Sequence, residues 1–455
     1  MRALLVTLPN SVTHVPLCCH EETGMTIDPI QPMSALYRLF AGRTDASRSV
    51  EGNAGTMGLG EKLWWAHKFF VGAVEHAEPG KGIEEHFAAQ DLSFGRPAGF
   101  VPVATARLSS AGDILTSEHL RPDTTAHIWD EVGDFLFGAD LAVANLETPV
   151  APSRPVGAPP KSILSAPPLN SSREVLEIFA GGDRFGFFST ANNHALDQGP
   201  DGVRETLDVL DEMGVGHVGT ARTYAERDAI PVVDVEGVRV AFVSYTFSVN
   251  GRQVPAGEEH LVNYLRLNMP DVDLSMIERH VQIARDDLRA DVVVACLHWS
   301  LEFESYPVRT VITNAHRIAE LGVDVILGNH PHVVQPIERH SYVDGSGVER
   351  DALIVYAHGD LASYLDAVPN SKVGNLVRFS LHKGTVAGRE TTVIADVSCL
   401  PILRRARFDR DGTCTDFRIH DLSAFLRRHE QQGDLDSADL AEVRRLADLT
   451  SSLLP

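Results

Sequence analysis

Basic side chains are in short supply. Lys and Arg total 40 against 62 Asp and Glu, a net charge of −22. Nucleic acid and anionic membrane surfaces are bound through basic faces, so neither is expected as the main partner. Long apolar runs are missing as well. The opening MRALLVTLPNSV meets Pro9 after an apolar run of about five residues, too short for a signal-peptide core or a bilayer span. Cysteine is scarce: Cys18, Cys19, Cys296, Cys399 and Cys414 form no CxxC pair, no zinc-ribbon spacing and no CxxxCxxC cluster. That argues against a disulfide scaffold and an iron–sulfur radical enzyme, and leaves reduced thiols packed in the interior of a cytoplasmic protein as the expectation. No pyridoxal-phosphate signature, internal repeat or low-complexity segment is evident.

What is present is a chain of 455 residues with 44% hydrophobic and 22% charged residues, ordinary for a globular protein. Twenty histidines beside only 40 Lys and Arg make a metal site worth seeking. Residues 1–105, rich in Gly, Pro, Thr and His, read as an N-terminal extension with a helix over Gly60–His76. On it Trp64, Trp65, Lys68 and Phe69 share a face, either buried or turned toward substrate. From about Ala106 the pattern alternates strand and helix. Strands end at Gly112-Asp113, at ADLAVANLE, before ANNHALDQG, at DVVVACLHW, at VDVILGNHPH and at ALIVYAHGD. Helices are expected over 127–137, from the capping box Ser171-x-x-Glu174 to Ala180, and over 203–213, 274–288 and 311–321. The Pro-rich stretch 151–168 reads as a surface loop, 375–407 as strands completing a second sheet, and 421–455 as one or two amphipathic helices. The expected division is an extension (1–105), an α/β core (106–410) and a C-terminal helical segment (411–455).

Active sites of α/β folds lie at the C-terminal ends of strands. Five strand ends here carry Asp113, Glu147, Asn193-His194, His298 and His330/His332. Carboxylate, amide and imidazole gathered on one rim are the donors a divalent ion needs. Each alone has a plainer reading: Asp113 as a turn former, His298 as a satisfied structural histidine. Their convergence points to a metal site.

The stretches GD (112–113), DLAVANLETP, ANNHALDQG, LHWSLEFESYP and GNHPHVVQPIE resemble, in order, the motifs of the CapA family, named for capsule poly-γ-glutamate synthesis, within the calcineurin-like metallophosphoesterase superfamily. The resemblance covers about 105–365. It implies a two-sheet β-sandwich flanked by helices, with one or two divalent ions (Ca²⁺, Mg²⁺ or Mn²⁺) held by Asp113, Glu147, Asn193, His298, His330 and His332. It assigns His194 to acid/base work. Two departures stand out. The superfamily's Asp-x-His is here Asp113-Ile114-Leu115, one imidazole fewer, and the family's Ser-Leu-Gly-Asn-Phe is here Ala357-His358-Gly359-Asp360-Leu361. Asp197, three residues after His194, adds a carboxylate able to orient an imidazole. His194, Asp197, His332, Asp360 and His358 are therefore the candidate proton-transfer groups. The group also includes epimerases that invert the C-terminal residue of lasso-peptide precursors. The resemblance thus implies a peptide epimerase or, alternatively, a metal-dependent hydrolase of phosphoester or poly-γ-glutamate amide bonds. Either reading takes a peptide or ester substrate, with the oligomeric state left open.

Overall fold

A computed structural model describes residues 57–454, apart from 158–167, 183, 346, 364 and 366–367. The N-terminal residues 1–56, Cys18 and Cys19 among them, and most of the Pro-rich loop lie outside the described residues. In chain order the elements are α1 (Leu59–Phe70), α2 (Ile83–Ala88), β1 (Val101–Ile114), α3 (Gly133–Phe137), β2 (Leu141–Leu146), α4 (Arg173–Ala180), β3 (Phe185–Ser189), α5 (Gly199–Met213), β4 (Gly216–Val218), α6 (Tyr224–Asp228), β5 (Val232–Val235) and β6 (Val238–Thr246). Then come α7 (Ser275–Gln282), β7 (Val292–His298), α8 (Arg309–Glu320), β8 (Val325–Asn329), β9 (Ile337–Val343), β10 (Glu349–Val355), β11 (Asp360–Ala362), β12 (Val373–Val386), β13 (Arg389–Phe408), β14 (Cys414–Asp421), α9 (Leu422–Gln432) and α10 (Ser437–Leu453).

The strands form two sheets. One runs β14-β13-β12-β1-β2-β3-β4, with β11 also paired to β1; the other runs β5-β6-β7-β8-β10-β9. Strands buried on both faces need apolar residues at every position rather than at alternate ones. β2 meets that demand. Val143 joins the core between the sheets, while Ala142 and Ala144 face the helices on the other side. Between the sheets Leu108, Val143 and Phe187 meet Val240, Phe242, Val294 and Leu327, with Phe187 stacked on Phe242 at 4.1 Å. α4 and α5 cover the outer face of the first sheet, and α7 and α8 that of the second. The two-sheet sandwich with flanking helices is the architecture expected.

Several boundaries move. α1 stops at Phe70 because Val71-Gly72 are poor helix formers, and the chain then runs extended, bridging Val74 to Glu304. The cap of α4 is Ser172, whose hydroxyl accepts from Val175 N, one residue later than expected. The helix expected over 127–137 is confined to 133–137. Residues 373–408 do not complete the second sheet. They add to the first, because β12 pairs antiparallel with β1 from Val101 to Ser110. The C-terminal segment is also not wholly helical, since β14 at 414–421 extends that same sheet.

β1–β2, β2–β3, β1–β11, β6–β7 and β7–β8 are all parallel pairs. Parallel pairing aligns C-terminal ends. Asp113 sits in register with Asn145 on one side and Asp360 on the other, and His298 with Asn329. Gly112 makes this close approach possible. A Cβ there would lie 1.7 Å from the Gly359 carbonyl oxygen.

Candidate metal centre

The strand ends meet in a buried cluster. Asp113 Oδ1 accepts from Asn145 Nδ2 at 2.7 Å, and Oδ2 accepts from the His330 backbone N–H at 3.0 Å. Glu147 Oε1 lies 3.4 Å from His298 Nε2 and 3.9 Å from His332 Nε2. Asn193 Oδ1 is 3.0 Å from His298 Nε2. Ligand atoms of Asp113, Glu147 and His298, and likewise of Glu147, His330 and His332, lie within 4.8 Å of one another. All six metal-ligand candidates therefore converge, and Asn145, not singled out in the sequence, joins them.

The loops that present these groups are strained. His330 (φ 103°), His332 (φ 56°), Ser300 (φ 69°) and Phe303 (φ 59°) all occupy the left-handed region without being glycine. Strain of this kind persists only where the surrounding structure over-determines it, and it concentrates at functional sites.

The electrostatics are those of a site built for a cation. Burial pushes the Asp113 carboxyl up to about 6, with Asp360 adding to the rise and His332 opposing it. Burial, reinforced by Asp113 and Asp360, raises Glu147 well above the carboxylate range. Burial drives His298 and His330 well below the usual imidazole value. Among the described residues, both Glu147 oxygens, Asn145 Oδ1 and both ring nitrogens of His330 are buried without a hydrogen-bond partner. Buried polar atoms left unsatisfied are costly. A divalent ion would hold the carboxylates ionised, take up those lone pairs and keep the imidazoles neutral. The residues fit such an ion.

The proton-transfer candidates divide. His194 Nδ1 meets Asp197 Oδ2 at 2.6 Å, and that oxygen also accepts from Leu169 N at 2.7 Å. This fixes the orientation of the ring. His332 Nδ1 meets Asp360 Oδ1 at 2.8 Å. Burial lowers the His332 pKa, but the carboxylates of Asp360, Glu302 and Asp113 outweigh it and the net shift is upward. Asp360 is itself anchored by Arg404, a fully buried side chain 3.4 Å from Oδ2. Asp360 thus holds His332, and its ligand atom lies within 4.8 Å of those of Asp113 and His332. His358 is not part of the site. Its Nδ1 donates to the Gly328 carbonyl at 3.0 Å, its Nε2 accepts from Ser110 Oγ at 2.8 Å, and burial lowers it to about 4. Both ring nitrogens are used in packing.

The aromatic face of α1 is half-buried, with Lys68 buried and Trp64, Trp65 and Phe69 partly exposed, and it packs beside the rim. Trp65 donates to Glu302, whose carboxylate lies 3.8 Å from His332 Nε2. Trp64 Nε1 donates to Glu304 at 3.2 Å, and the buried Lys68 ammonium pairs with the same Glu304 oxygen at 3.1 Å. Glu302 had escaped notice in the sequence.

Fold and site together define a two-sheet α/β protein with a carboxylate–imidazole cluster able to hold a metal at the ends of its parallel strands. The chain belongs to the bacterial capsule synthesis protein family PGA_cap, whose model matches residues 107–364. It is 27% identical over 261 residues to the capsule biosynthesis protein CapA of Bacillus anthracis, covering 56% of this chain and 58% of that one. It is 25% identical over 291 residues to the PGA biosynthesis protein CapA of Bacillus subtilis, covering 63% and 70%. The matched part spans less than two thirds of the Bacillus anthracis relative. Among the described residues no helix is long and apolar enough to cross a membrane.

Proposed function

We propose that the chain is a metal-dependent acid/base enzyme that inverts a peptide α-carbon, with the C-terminal residue of a ribosomal lasso-peptide precursor as the site of inversion. One observation carries this reading: two His/Asp pairs, His194–Asp197 and His332–Asp360, adjoin one donor cluster from different strand ends. Inversion needs a base that removes the Cα proton from one face and an acid that returns a proton to the other. His194 is the first of these groups. His332, raised by its carboxylate neighbours, is the second. A divalent ion held by Asp113, Glu147, Asn193, His298 and His330 would steady the negative charge that develops on the adjacent carbonyl oxygen. Two imidazoles beside two carboxylates and an amide oxygen suit a first-row transition ion better than Ca²⁺ or Mg²⁺. The extension carrying α1 would form a wall of the peptide site through Trp65 and Glu302.

A second reading is hydrolysis of an amide or phosphoester, including a γ-glutamyl chain. It is favoured by the position of His332 within ligand distance of Glu147 and His330, which would commit His332 to the metal and leave His194 as sole acid. Incubation with precursor peptides in deuterated water separates the two. Gain of one deuterium without cleavage is expected for inversion; cleavage with no exchange ahead of it would overturn the epimerase reading in favour of hydrolysis.

A further inference from the structure

A second cluster of metal-binding side chains lies outside the strand-end centre, on the helix-covered face of the second sheet. β9 alternates there: Ile337 points into the core between the sheets, and Glu338 points the other way. Glu338 is 2% exposed. Its Oε2 accepts from Tyr356 Oη at 2.6 Å. Its Oε1 lies 3.0 Å from His86 Nε2 and 2.8 Å from His316 Nε2. His86 comes from α2 in the N-terminal segment, His316 from α8 and Glu338 from β9, so three distant stretches of chain converge on one carboxylate oxygen. All three ligand atoms lie within 4.8 Å of one another.

We infer that His86, His316 and Glu338 form a second cation site, of the His₂Glu type that Zn²⁺ favours, which fastens α2 to the core. Tetrahedral zinc with ligand bonds of about 2.0–2.2 Å sets neighbouring donors roughly 3.3 Å apart. The 2.8 and 3.0 Å separations fall a few tenths of an ångström short, a gap that small ring movements close. The surroundings are those of a metal ligand set. Tyr356 orients the carboxylate from behind, as outer-shell hydrogen bonds do at zinc sites. His316 is held flat against His340 at 4.0 Å between ring centroids, and His340 is in turn tied to Glu320 at 3.2 Å. The His86 and His316 side chains are 28% and 26% exposed, which leaves an open side for a water as fourth ligand. A pair of hydrogen bonds from two imidazoles to one carboxylate oxygen is the competing arrangement, and glutamine in place of a histidine distinguishes them. It retains a side-chain N–H but is a far poorer zinc ligand.

The test uses the full chain stripped of metal with chelator, then equilibrated with zinc and assayed by elemental analysis and thermal unfolding. The parent should bind one zinc equivalent more than His86→Gln and His316→Gln. That difference should persist when His330→Ala has removed metal from the strand-end centre. The rise in unfolding temperature on adding zinc should shrink in both variants. His86 is partly exposed, so its variant should fold, and circular dichroism verifies this. Equal zinc content in the parent and a folded His86→Gln, or a zinc-induced stabilisation unchanged in it, would overturn the inference.

Discussion

Lys68→Met tests how firmly the N-terminal helix is bound to the rim. The Lys68 ammonium is buried and pairs at 3.1 Å with Glu304, whose side chain is 4% exposed. Removing one partner of a buried pair costs about 3–5 kcal/mol, because the other charge is left uncompensated. Trp64 still donates to the same Glu304 oxygen, which keeps the loss near the lower figure, about 3 kcal/mol. The molecule has one way to avoid the full penalty: α1 can lift off and rehydrate Glu304. The cost should therefore appear chiefly as local opening. Hydrogen exchange of amides 63–70 should accelerate roughly 100-fold, at about 1.4 kcal/mol for each tenfold, while the urea midpoint of the whole protein moves less. Adding Glu304→Gln should recover part of the loss, with a coupling energy of about 1–3 kcal/mol in a double-mutant cycle. Unchanged exchange across α1 in Lys68→Met, with global stability within about 0.5 kcal/mol of the parent, would refute the view that this pair holds the helix.

Other outcomes follow from the same geometry. His330→Ala should lose bound divalent ion from the strand-end centre and activity together; elemental analysis showing the ion retained there would sink the ligand assignment. His194→Ala should reduce turnover about 10²–10⁴-fold with metal content intact, and a normal rate would remove His194 from proton transfer. Gly112→Ala should destabilise by about 3 kcal/mol or more, because its Cβ would sit 1.7 Å from a backbone oxygen; a folded, metal-replete variant would contradict the close approach of β1 to Gly359. Burial lowers both His280 and His358 to about 4. Each is then neutral in the folded chain while the unfolded chain takes up a proton below about pH 6.5. Their contribution is complete above that pH and is lost as pH falls toward 4, at about 1.4 kcal/mol per unit per histidine. Urea titrations at pH 7.5, 6.5 and 5.5 should show a shallower acid slope for His358→Gln than for the parent, and identical slopes would count against it.

Much of the strand-end centre was legible because parallel strands deliver their C-terminal residues to one rim whatever lies between them. That rule brought Asp113, Glu147, Asn193, His298, His330 and His332 together from five of the chain's motifs. Asn145 was missed although a signal existed: it stands two residues before Glu147, on the same side of an alternating strand. His358 misled because it flanks Gly359 together with Asp360 at the end of the last rim strand. Gly359, at φ 72°, breaks the alternation and sends the two side chains to different places. Arg404 gave no local sign, because a buried arginine in the middle of a strand is defined only by the carboxylate it reaches. The sheet assignment of 373–408 failed for a related reason. Strand pattern shows that a segment pairs, but not with which edge.

The dependence of Asp360 on Arg404 has a consequence for biosynthesis. The ligands from Asp113 to His332 leave the ribosome well before β13, which bears Arg404. Until β13 docks, Asp360 lacks its counter-charge and His332 lacks a fixed orientation, so a nascent chain carries a cluster of acids and imidazoles with no settled geometry. Such non-local closure is slow compared with local helix formation. Metal loading would thereby depend on completion of the C-terminal strands. A chain stalled before residue 389 would display the family's recognisable motifs and yet fail to retain an ion.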